Sequence, residues 1–240
     1  MVICDMVLEQ QTGHAVLRNS CLYGFFEEEQ LKQQIYGKLL FDYAENMPGL
    51  SLSLCNKLIR APLAKRAMAA LSNELTYGED AIGSLICMLE ATCIYVMNDA
   101  AWYHYRQSAE LAARERSLSL LSRLSDLANT MQTYLTNSSL IGEDQLAGYV
   151  AQVSLYCIRH ILLFNADHTM REKLSAVTQY SREPHIQKLL IQAQSLTVDW
   201  KTKKKLSLII RGRCFLLLLL FAGREIIMRF QGCLSGNRNE

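Results

Sequence analysis

The best-spaced pair of metal-binding side chains in this sequence is Cys157-Ile-Arg-His160, with His168 shortly beyond. On a helix, positions i and i+3 share a face, so a thiolate and an imidazole could converge on one zinc ion. A structural zinc needs four ligands and a catalytic one normally three, so Glu143 or Asp167 would have to be brought in by folding. The ligand set is incomplete, and the residues read more simply as a core thiol and a surface or capping histidine. No G-x-x-x-x-G-K-[ST], G-x-G-x-x-G, G-x-S-x-G or H-E-x-x-H occurs. Nowhere do three glycines fall within ten residues, as a phosphate-cradling loop would require. The expectation is a protein that is not an enzyme, with no metal, no cofactor and no evident small-molecule substrate.

Residues suited to contact rather than catalysis are better represented. Trp102-Tyr103-His104-Tyr105 is an aromatic cluster of the kind that anchors interfaces, because such rings bury much area with few rotamers to freeze. Its plainer reading is a helix terminus tucked against the body. Ala113, Ser117, Leu120, Leu124, Leu127, Met131 and Tyr134 alternate spacings of four and three, a seam suited to helix–helix packing. Arg114-Glu115-Arg116 lies on the polar side of that seam.

Residues 201–240 carry nine Lys and Arg against two acids, leaving sixteen basic and twenty-one acidic residues on the first 200. The basic lead Lys201, Lys203, Lys204, Lys205, Arg211 and Arg213 runs directly into ten uncharged residues, Cys214–Gly223. That run is too short for a simple membrane span of about 20 residues. Two accounts remain: a helix buried in the bundle or docked on a partner through Phe215, Leu216 and Leu219, and a helix at an anionic membrane surface contacted by the six basic residues. A DNA-binding regulator is a further alternative, prompted by Lys57, Arg60, Lys65 and Arg66, but the acidic body makes nucleic acid an unexpected partner.

The elements that would carry these residues read as helices throughout. Three prolines and twelve glycines are few for a turn-rich β fold, and good helix formers dominate. Glu27–Glu29 open a helix through Leu31, Ile35, Leu39 and Tyr43, ended at Asn46, Pro48 and Gly49. Pro62 starts another that Gly78 ends. Ala81–Met97 is almost wholly apolar and reads as the central core helix. Further helices follow from Glu143, from a Thr169/Glu172 capping box, from His185, and over residues 201–230. The expected fold is an all-α bundle of about eight helices over residues 1–200, with a small N-terminal subdomain (1–49) as an option. A basic–apolar helix (201–230) and a frayed tail (231–240) complete it. Eight cysteines without a C-x-x-C read as reduced thiols, and the N-terminus lacks a secretory signal's basic region, so a cytoplasmic protein is expected.

In the stretches LSLSLCNKLIR and LLSRLSDLANTMQTYL the chain resembles, in texture rather than motif, the cytoplasmic sorting-platform accessory proteins of bacterial type III secretion systems. The resemblance implies a non-enzymatic adaptor whose partners are proteins, including a membrane-embedded secretion complex. It carries no site residue with it.

Overall fold

A computed structural model describes residues 1–10, 13–19, 23–71, 77–106, 117–138 and 140–223. The chain opens with β1 (Val2–Gln10), β2 (Gly13–Leu17) and β3 (Gly24–Glu27). A helical turn, α1 (Glu28–Gln30), runs on as a π-helix over Leu31–Ile35 and a 3-10 turn over Tyr36–Lys38. Three two-residue strands follow: β4 (Phe41–Asp42), β5 (Met47–Pro48) and β6 (Lys57–Leu58). Then come α2 (Ala61–Ala70), α3 (Glu79–Glu90) and the long strand β7 (Cys93–Arg106). The rest is helical: α4 (Ser119–Ser138), α5 (Glu143–Phe164), α6 (Met170–Ser181), α7 (Pro184–Leu196), α8 (Trp200–Ile210) and α9 (Cys214–Gly223).

The all-α expectation is wrong. A mixed sheet of order β2-β1-β7-β3, with β6 added to β1, occupies one side of the molecule. β1 and β7 run parallel, from Val2↔Tyr95 to Glu9↔Arg106, although about 80 residues of chain separate them. The stretch 79–97 misled because helix α3 and the start of β7 are both apolar, and uniformly apolar segments carry no period to separate them. Ile94 and Val96 alternate inward, and β-branched and aromatic side chains suit a pleated surface. Few turns are needed because long connections, rather than hairpins, join most strands. β1, β2 and β3 therefore share one sheet with β7. LSLSLCNKLIR contains no helix among its described residues, only β6 near its end.

One continuous core links sheet and helices. Ile3, Phe26, Ile94 and Val96 cover Leu31, Ile35, Ile82 and Leu85, and the helical layer continues through Leu124, Met131, Leu146, Ile158 and Leu190. The central helix is α5, packed by α4, α6, α7 and α8 and by β4. By length and composition α5 could also cross a membrane, yet most of its apolar window is inside the protein.

Gln145, in the first turn of α5, fastens the N-terminal layer to the helices. Its Oε1 accepts from the backbone N–H of Leu40 (3.1 Å) and Phe41 (3.2 Å). Its Nε2 donates to the carbonyls of Gly37 (2.7 Å) and Phe41 (2.8 Å). One buried amide thus satisfies four main-chain groups in a segment that leaves regular structure.

The basic–apolar C-terminus folds as two helices rather than one. Gly212 has φ +65°, its N–H bonds Ile209 O (2.9 Å), and Arg213 N–H bonds Leu208 O (2.8 Å). This is a Schellman ending, in which glycine takes the left-handed position that a side chain would strain. Residues 224–230, read from sequence as part of this helix, lie outside the described residues.

Candidate protein-docking surface

The sheet has an outer face on which apolar side chains meet solvent. Cross-strand pairing puts Leu58, Val2, Tyr95 and Phe25 in one row across β6, β1, β7 and β3. Leu58 is 68% exposed and Phe25 55%. Further along the sheet, β2, β1 and β7 carry two more rows, Val16–Val7–His104 and His14–Glu9–Arg106. Trp102 of β7 stands beside the first row, near Val2 and Leu58, and is 67% exposed. A half-solvated sheet normally alternates apolar-in with polar-out, so large apolar groups outside mark a contact surface.

Trp102 overhangs a hollow of about 180 Å³ floored by Val2, Cys4, Leu58 and Met97. That is below the range of typical ligand pockets, about 300–1,000 Å³, but it is large enough for one partner side chain. The third row carries charge. Glu9 accepts from Arg106 Nε at 3.1 Å and contacts His104 Nδ1 at 2.8 Å, and these two hydrogen bonds, His104's first, hold its carboxyl below the usual range.

Beneath the hollow, Lys57 Nζ donates to the carbonyls of Ser51 (2.5 Å) and Ser53 (2.6 Å) and to Asn56 Oδ1 (3.0 Å). Burial pushes this ammonium down to about 7. Beside it, Asp5 accepts from Asn19 N (2.9 Å) and Nδ2 (3.0 Å), and Ser51 N donates to Asn19 Oδ1 (3.1 Å). This polar layer makes the face rigid, and nothing in the sequence pattern announced it.

The residues singled out from sequence separate into three groups. Trp102 stands on the outer face. Tyr105 lies on the opposite side, where it lines a cleft of about 680 Å³ between the sheet and Leu120, Tyr149 and Tyr156. Tyr103 meets the Cys55 thiol, and that hydrogen bond raises its hydroxyl's pKa. The seam residues Leu120, Leu124, Leu127 and Met131 are all inside the core. At the C-terminus, Phe215, Leu216 and Leu219 are exposed on α9, as are Lys201, Lys203, Lys204, Arg211 and Arg213, while Lys205 is partly covered. Ala113 and Arg114–Arg116 lie outside the described residues.

Cys157 is buried, whereas His160 stacks on Tyr156 (4.3 Å between centroids) and Phe164 (5.4 Å). Among the described residues no three His, Cys, Asp or Glu side chains are grouped to hold a metal ion. One serine meets both a histidine and a carboxylate: Ser125 Oγ lies 3.1 Å from His185 Nε2 and donates to Glu183 Oε2. A nucleophilic serine would give its proton to the histidine, with the carboxylate on the far ring nitrogen. Here the carboxylate takes the serine proton directly and Ser125 is buried, so the trio ties α4 to the α6–α7 corner.

Compared with protein-family models, with curated proteins and with solved structures, the chain matches none.

Proposed function

We propose that the protein is a non-enzymatic adaptor that docks a protein partner on the outer face of its sheet. The observation that carries this is the row Leu58–Val2–Tyr95–Phe25, in which Leu58, Tyr95 and Phe25 are exposed, with Trp102 beside it over a hollow sized for one side chain. Aromatic groups of this kind on a rigid scaffold supply most of the energy of protein interfaces. Its setting, an accessory role in a type III secretion apparatus on the cytoplasmic side, is proposed on the sequence resemblance alone.

The test is site-specific photo-crosslinking in the native cell. A benzophenone amino acid replaces Trp102 in one variant and the exposed Ser122 of α4 in another. A discrete adduct from position 102 alone, lost when Phe25 and Leu58 are changed to Ser, supports docking on this face. Equal labelling from both positions, or none from position 102, refutes it.

A further inference from the structure

Among the described residues, nothing covers one face of helix α9, and that face has an unusual composition. It rests on the body through Cys214, Leu217 and Phe221, all buried, with Cys214 Sγ 3.4 Å from Thr178 Oγ1 of α6. The opposite arc presents Phe215, Leu216, Leu219 and Leu220, with Phe215 58% and Leu219 52% exposed. No polar side chain interrupts that arc. The sequence pattern alone suggested a helix apolar on every side, which is a poor interfacial helix. In the structure the body covers one side, so what reaches solvent is a single apolar ridge.

Charge says what meets the ridge. Exposed Arg211 and Arg213 stand at its base, and exposed Lys201, Lys203 and Lys204 line α8, the helix before it. Asp199, the acid nearest the lysines of α8 in sequence, is committed to capping that helix through the N–H groups of Lys201 (3.3 Å) and Thr202 (2.8 Å). Val198 and Trp200, beside that cap, are also exposed. A second copy docked ridge to ridge would bring two such basic clusters together, which electrostatics opposes. A sheet of negative charge over an apolar interior is complementary to both features at once.

We propose that α8 and α9 form a peripheral membrane-docking unit that seats Phe215, Leu216, Leu219 and Leu220 in an anionic bilayer surface. The lysines and arginines hold lipid phosphates around the ridge, and Trp200 lies at the headgroup level. The ten described residues of α9 rest in the interface, a length short of a membrane span. This goes beyond the sheet-face reading and uses none of its residues.

The full chain carrying Trp102→Phe leaves Trp200 as the single tryptophan reporter. Vesicles of phosphatidylcholine containing phosphatidylglycerol are compared with vesicles of phosphatidylcholine alone. Binding to the anionic vesicles with a blue shift of Trp200 emission is expected, weakened at least about ten-fold by raised salt. Changing the four ridge residues to Ser should abolish it, as should Lys201, Lys203 and Lys204→Glu, with circular dichroism unchanged because all seven are exposed. Equal binding to neutral vesicles, or no binding, overturns the proposal. So does self-association in light scattering that the ridge substitutions remove, since a second copy would then be the occupant. None of these results touches the crosslinking test at position 102.

Discussion

Replacing Gln145 with Leu should destabilise the protein more than any surface change of similar size. Leucine fills most of the volume but leaves two N–H groups and two carbonyls of residues 37–41 facing an apolar side chain. An unsatisfied buried polar group costs about 1–3 kcal/mol; water can reach the carbonyl of the exposed Gly37, so the low end for the other three gives roughly 3 kcal/mol. Against a typical total of about 5–15 kcal/mol this is a large fraction. Urea denaturation of Gln145→Leu, followed at Trp102 in the sheet and Trp200 on the helical side, should show an earlier midpoint. The Trp102 transition should lead, because the fastening between the layers is what has been cut. Gln145→Glu sharpens the test. Its carboxylate still accepts from Leu40 and Phe41 N–H but opposes the carbonyls of Gly37 and Phe41. Burial and those carbonyls raise its folded pKa above the unfolded value, so stability is present at low pH and lost as pH rises through the folded value. The variant should therefore be more stable near pH 5 than near pH 8. A loss below about 1 kcal/mol for Gln145→Leu, with coincident transitions, would refute the role assigned to this amide.

Gly148→Ala should destabilise α5 although alanine is the better helix former by about 1 kcal/mol. A Cβ there would stand 2.6 Å from the Phe41 ring, and a lowered Tm checks it. Lys57 has a folded pKa of about 7 against an unfolded value near 10.5. The unfolded chain binds the extra proton between these values, so stability should rise with pH from about 7 to 9.5, by roughly 3 kcal/mol at most. Lys57→Met, measured by denaturation across that window, should remove the slope. Trp102→Ser with Phe25→Ser should leave Tm within a few degrees of the parent, since surface substitutions cost about 0.5 kcal/mol or less. A cooperative collapse on thermal denaturation would show that the face is core rather than contact surface.

Legibility from sequence followed period and punctuation. The Thr169/Glu172 capping box is present, with Thr169 Oγ1 accepting from Glu172 N at 3.3 Å, because a cap is a local interaction between residues three apart. The core face of α4 was readable from the spacing of Leu120, Leu124, Leu127 and Met131. The sheet was not, because β1 and β7 find each other across most of the first hundred residues. No local rule reports a parallel pairing at that separation. Trp102 was readable as an anchor by type, but whether its neighbours shared its side depended on strand alternation, which sent Tyr105 to the cleft instead. Gln145 and Asn19 gave no signal, since an amide in a helix turn or loop looks solvated until the backbone it serves is in place.

By itself the sequence determined the Thr169/Glu172 cap, which helical stripes are apolar, and that the last forty residues are basic against an acidic remainder. These are properties of near neighbours and of composition. Tertiary structure alone decided that the apolar stretch after Glu90 extends as a strand. It also decided that one row of a sheet faces outward with Phe25, Tyr95 and Leu58, and that α9 shows solvent only half of its apolar surface. Each of those depends on which remote segment supplies hydrogen bonds or covers area, and hydrophobic burial has no direction along the chain.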